Sequence, residues 1–60
     1  MWLVERDGYI KSKNEKRWQA RKEAKRLSKK FKYEMYSIRN EDEEDEEKTE
    51  YFIKGYEVKN

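Results

Sequence analysis

The stretch Lys13–Phe31, KNEKRWQARKEAKRLSKKF, limits the fold more than any other, because it is the only long segment with a helical period. Wound at about 100° per residue, it gathers Ala20, Ala24, Leu27 and Phe31 into one apolar stripe. That stripe is narrow and mostly alanine, so the helix must lie close against its support, and a sheet is the natural partner. The opposite face carries Trp18 with Arg21, Lys22, Lys25 and Lys29. Between Lys13 and Lys32 there are ten Lys and Arg against two Glu.

The sequence has 60 residues, which fits one domain with a small core, since a chain of this length buries only about 60% of its unfolded surface. It has no cysteine, which excludes a disulfide framework and a thiolate zinc site. Its longest apolar runs, Met1–Val4 and Tyr51–Ile53, are too short for a spanning helix or a leader. The expectation is a cytoplasmic protein with no membrane contact. Half of the residues are charged, a composition that favours disorder, but nine aromatics at strand-like spacing argue for a folded chain. Residues 1–40 carry thirteen Lys and Arg against five Asp and Glu, whereas residues 41–60 carry three against nine. The small net charge of +2 therefore hides a strong dipole.

Taken in order, Trp2–Glu5 reads as a strand and Asp7-Gly8 as a turn. Tyr9–Lys11 is either the second arm of a tight hairpin or an extended lead-in to the helix; the lead-in is preferred. Ser12-Lys13-Asn14-Glu15 fits a capping box, with Asn14 a competing cap, so the helix is expected over about residues 13–30. Lys32–Asn40 reads as a strand with Tyr33 and Met35 on one face and Tyr36 and Ile38 on the other. Thr49–Lys59 reads as another, with Gly55 a bulge or bend. The expected fold is α+β, a small antiparallel sheet in the order β-α-β-β, or in the variant ββαββ, with one helix packed on one face.

The acidic run Glu41, Asp42, Glu43, Glu44, Asp45, Glu46 and Glu47 must be a loop, because no sheet interior accepts it. If the strand after the helix doubles back along it, this loop lands beside the helix N-terminus, near Lys13, Lys16 and Arg17. It lacks the glycine and alternating ligands of a calcium loop, and no metal is expected there.

Catalysis is set aside. Histidine and cysteine are absent, and Ser12, Ser28 and Ser37 have no evident base. No cofactor is expected. The bland account of Trp18 is that it folds over the helix edge onto the first strand or Tyr9; the functional account is a binding hot spot among cations. The same basic helix also suits phosphates, in salt-sensitive nucleic-acid binding. Aromatics fall at both parities of the strands, so some leave the helix-covered face, where they suit a homodimer interface or ordinary cross-strand pairing.

Val4-Glu5-Arg6-Asp7-Gly8 before the helix, Glu23-Ala24-Lys25-Arg26-Leu27 within it and Tyr33 after it give the chain a likeness over about half its length. It resembles the small β-α-β-β proteins of phages and mobile elements of low-GC Gram-positive bacteria. The resemblance implies binding and inhibition of a host protein, or contact with nucleic acid. The expectation is a non-enzymatic protein-binding module, an inhibitor or adaptor, that uses Trp18, Arg21, Lys22, Lys25 and Lys29. The acidic run is a secondary patch, and nucleic-acid binding and homodimerisation are the alternatives.

Overall fold

The computed structural model describes residues 1–58. Five strands, β1 (Trp2–Arg6), β2 (Tyr9–Asn14), β3 (Tyr36–Asn40), β4 (Glu50–Ile53) and β5 (Tyr56–Val58), form one antiparallel sheet. Their order is β2-β1-β3-β4-β5, and helix α1 (Arg17–Lys30) packs on one face. The α+β class, the single covering helix and the ββαββ variant of the order are as the sequence implies, except that the last strand is divided in two, giving ββαβββ.

Two turns account for the extra strands. Asp7 and Gly8 take φ of 50° and 84°, and Lys54 and Gly55 take 55° and 84°. Positive φ at both central residues is the hairpin geometry whose twist matches the flanking strands. The lead-in expected at Tyr9–Lys11 is therefore a true strand, paired to β1 from Trp2↔Asn14 to Arg6↔Tyr9 with a bulge beside Val4 and Glu5. Gly55 is likewise a hairpin turn rather than a bulge, and it divides the expected strand 49–59, whose end at Lys59 lies outside the described residues.

Because β2 runs on to Asn14, the helix starts later than residue 13. Ser12 is a strand residue whose hydroxyl accepts from Asn14 Nδ2 at 3.1 Å, so the expected capping box does not form. The cap is Lys16, whose backbone N–H donates to Gln19 Oε1 at 3.1 Å. At the other end, Phe31 caps the helix and is 44% exposed, so it leaves the stripe. Ser28 takes its place, fully buried; its hydroxyl donates to the Lys25 carbonyl and accepts from Gly55 N–H at 3.0 Å. The chain then turns through residues 32–35, and β3 begins only at Tyr36. Tyr33 is thus an exposed loop residue.

The core lies between helix and sheet. Val4, Tyr36, Ile38 and Phe52 enclose it with Ala20 and Ala24, and Trp2 and Leu27 pack at its margin. The two alanines leave no side chain beyond Cβ between helix and sheet, which lets the backbones approach. Register places the β1–β2 turn, the helix exit and the β4–β5 turn at one end of the sheet, and the helix entry at the other. The acidic run joins β3 to β4 at the helix-entry end, where Arg17 and Glu47 line the same depression. It folds on itself: Asn40 Oδ1 accepts from Asp42 N–H, Glu43 Oε1 from Asp45 N–H and Asp45 Oδ1 from Glu47 N–H.

Candidate protein-contact surface on the helix

The cations of this chain divide by chemistry. All five arginines are ion-paired: Arg6 to Glu34 at 2.5 Å, Arg39 to Glu5 at 2.6 Å, Arg26 to Glu23, and Arg17 and Arg21 both to Glu50. Among the described lysines only Lys48 has a carboxylate partner, Glu43 at 3.2 Å. The division follows from geometry, since a guanidinium fork matches a carboxylate on two atoms whereas an ammonium is a strongly hydrated point charge. Four of the five arginines tie separate parts of the chain together, Arg26 pairs within the helix, and the described lysines other than Lys48 have no carboxylate partner.

On α1 the two cation types occupy different flanks. Arg17 grips Glu50 with two nitrogens, at 2.8 and 2.7 Å. Arg21 reaches Glu50 and also Glu57, at 2.8 Å, with its guanidinium 5.5 Å from the centre of the Phe52 ring. Arg21 therefore faces β4 and β5 and is removed from the contact face expected for it, because at 60° from Trp18 around the helix it lies on the sheet-side shoulder.

Trp18, Lys22, Lys25 and Lys29 remain together at spacings of four, three and four, which is one straight stripe along a helix. All four are exposed, Trp18 by 60%. Trp18 does not fold over onto Tyr9, which pairs with Arg6 at the far end of the sheet. It borders instead an open groove of about 670 Å³ between the end of β2 and the helix, whose lining includes Met1, the cations Lys13, Lys22 and Arg26, and the carboxylates Glu15 and Glu23. Met1 is exposed as well, so the groove has two large apolar side chains on its walls.

Met1 and Lys13 were not visible as site residues in the sequence. They reach Trp18 because Trp2 pairs with Asn14, and the one available signal for that pairing was Asp7-Gly8. On the rim of the groove, the Arg26 guanidinium hydrogen-bonds Glu23 and holds its carboxyl below the usual carboxylate range. That pair is locally neutral; within the groove Glu15 stands against Lys13 and Lys22, and Lys25 and Lys29 extend the positive charge along the helix.

The acidic run is exposed throughout, and no carboxylate of 41–47 forms an ion pair with the helix. Glu41 pairs with the terminal amine of Met1 at 3.4 Å. The Asp45 backbone N–H, and then Lys48, lower the pKa of Glu43. Among the described residues no group of three or more His, Cys, Asp or Glu is placed to hold a metal ion, and no helix is long and apolar enough to cross a membrane.

No family model matches the chain, and comparisons with curated proteins and with solved structures found no match.

Proposed function

We propose that the protein is a non-enzymatic protein-binding module whose contact face is the stripe Trp18, Lys22, Lys25 and Lys29, completed by Met1 and Lys13. One observation carries this reading: Trp18 is 60% exposed on a helix whose opposite flank is fully engaged with the sheet. The fold has no use for an indole there, and tryptophan is the side chain most enriched among residues that dominate binding energy. The partner that suits this face has an acidic surface with an apolar recess for the indole. The resemblance to small phage and mobile-element proteins supports an inhibitor or adaptor role, acting by occupying a host protein's surface.

The test compares wild type, Trp18→Ala and Tyr56→Lys for capture of partners from a low-GC Gram-positive lysate treated with nuclease. A partner held by wild type and by Tyr56→Lys should be lost with Trp18→Ala, by about 30-fold in affinity if the indole is a hot spot worth about 2 kcal/mol. Trp18→Ala should shift the unfolding free energy by less than about 0.5 kcal/mol, as expected of an exposed side chain. A much larger loss of stability, or a partner that ignores the substitution, overturns the assignment.

The unpaired lysines favour one second reading, attraction to nucleic-acid phosphates. With every arginine engaged, this would be backbone contact without arginine readout of bases. If it operates, Lys22→Gln/Lys25→Gln/Lys29→Gln should lower the slope of log affinity against log salt by about 2.7, at 0.9 per phosphate.

A further inference from the structure

The helix covers one face of the sheet and leaves the other open. Cross-strand partners share a face, so Leu3, Glu5, Ile10, Lys13, Ser37 and Arg39 lie on the open side, with Tyr51, Ile53, Tyr56 and Val58 at its β4–β5 edge. Those last four form two direct pairs, Tyr51↔Val58 and Ile53↔Tyr56, each joining a tyrosine to a β-branched residue. Tyr56 is 76% exposed, and Tyr51 and Val58 are exposed as well. Beside this patch Glu5 and Arg39 cancel each other at 2.6 Å, flanking the buried Leu3.

We infer that this open face is a homodimer interface, occupied by the same face of a second copy. Like-to-like contact across a two-fold axis brings each patch against itself, so a patch with one sign of charge repels its copy. The helix stripe would oppose Lys22, Lys25 and Lys29 to themselves, and the acidic end would oppose seven carboxylates to seven. The open sheet face joins exposed apolar side chains to the neutralised Glu5–Arg39 pair without a row of unpaired lysines through them, and Lys13 stands at its margin.

The apolar patch also suits the symmetry. A two-fold axis lying in the interface and crossing the strands between the two rows sets Tyr51 and Val58 of one copy over Ile53 and Tyr56 of the other. Two sheets so stacked pack at about 10 Å, as in a β-sandwich. Under this axis the overlap centres on the β4–β5 rows, and the row of Leu3, Arg39 and Lys13 lies outside it. The contact is therefore well below the roughly 800 Å² of accessible surface per partner of a standard interface, and the dimer is a weak one. The inference does not use Trp18, Lys22, Lys25 or Lys29, and it leaves both helix stripes on the outer sides of the dimer.

Sedimentation equilibrium of the full chain from about 20 µM to 1 mM, in 0.1 M and 0.5 M NaCl, tests it. Dimer should accumulate with concentration and persist in the higher salt, because the contact is apolar. Tyr56→Lys/Val58→Lys should weaken association by at least about 10-fold, and the single Tyr56→Gln by less, each with an unchanged far-ultraviolet circular dichroism spectrum. Lys22→Glu/Lys25→Glu/Lys29→Glu should leave association intact. A monomer throughout overturns the inference, as does a dimer indifferent to Tyr56→Lys/Val58→Lys. Association that vanishes in 0.5 M NaCl would instead assign a head-to-tail contact of the acidic run with the lysine stripe. A single-stranded oligonucleotide that binds the monomer and is released by Tyr56→Lys would assign the face to stacked bases. Either result overturns the dimer.

Discussion

The two flanks of α1 have nearly the same sequence chemistry and opposite fates. Toward β4 and β5, Arg17, Arg21 and Ser28 each find a partner on the sheet side: Glu50, Glu57 or the Gly55 amide. On the outer flank the charged heads of Lys22, Lys25 and Lys29 have no carboxylate partner among the described residues, although the Lys29 stem runs beside the Gly55 turn. A count of positive charges along this helix would merge the two. Which cation stands where decides the matter, because arginine can be fixed at low cost by a carboxylate it meets on two atoms, and lysine keeps its water. The engaged flank is a clamp, and the free flank is available for a partner.

The largest way to break this contrast is at Glu50, whose side chain is 15% exposed and accepts from both arginines. Glu50→Ala leaves Arg21 over Phe52 with only Glu57, and it frees Arg17 altogether. Arg17 is more than half exposed and contributes little, so most of the loss comes from Arg21. The expected cost is about 1–3 kcal/mol, or roughly 5–15 °C in melting temperature for a domain of this size. Replacing Lys22 and Lys25 by Gln should cost less than about 0.5 kcal/mol in the same urea titration. Equal losses on the two flanks would remove the distinction between clamp and contact surface.

The two hairpin glycines test the clamp at its other end. Both have φ of 84°, yet a Cβ at Gly8 would meet nothing within 4 Å, whereas at Gly55 it would lie 3.2 Å from Lys29 Cβ. Gly8→Ala should therefore cost the left-handed backbone strain alone, about 1 kcal/mol. Gly55→Ala adds a contact against the helix and strains the amide that Ser28 receives, for a total of about 2 kcal/mol. Chemical denaturation of both variants measures the difference directly. A Gly55→Ala cost no larger than that of Gly8→Ala would show that the β4–β5 turn is not held by the helix.

What the sequence made legible follows from the same physics. Helical period and alternation identified the helix and placed Tyr36 and Ile38 on one face of a strand, without saying which face the helix covers, and Trp18 with three lysines fell on one stripe by spacing alone. Turn chemistry was readable but underweighted: Asp7-Gly8 carries β2, and through it Met1 and Lys13 beside Trp18. Lys54-Gly55 hides a second hairpin because lysine is an unusual residue for a positive φ. Ser28 looked polar enough for the surface and is buried only because a turn 27 residues away brings it an amide. Arg21 was misplaced for a related reason, since periodicity assigns an angle on the helix but not the reach of a long side chain toward Glu50 and Glu57.

The smallest expected effect is electrostatic and distinguishes a paired carboxylate on the helix from paired ones elsewhere. Glu23 is held below its ordinary pKa of about 4.5 chiefly by its hydrogen bond to Arg26, Glu34 by its bond to Arg6, and Glu43 by the Asp45 amide. A carboxyl whose folded pKa is lowered binds its proton more weakly folded than unfolded. Its contribution to stability is therefore complete above about pH 4.5 and is lost as the pH falls through the lower folded value. Urea midpoints should be level from pH 7 to about 5 and decline below that. Glu23→Gln, Glu34→Gln and Glu43→Gln should each flatten the decline, and the flattening from Glu23→Gln should vanish when Arg26 is replaced by Gln. If Glu23→Gln leaves the acid limb unchanged, the Glu23–Arg26 pair does not hold in solution, and Arg26 joins the lysines as a free cation on the outer flank.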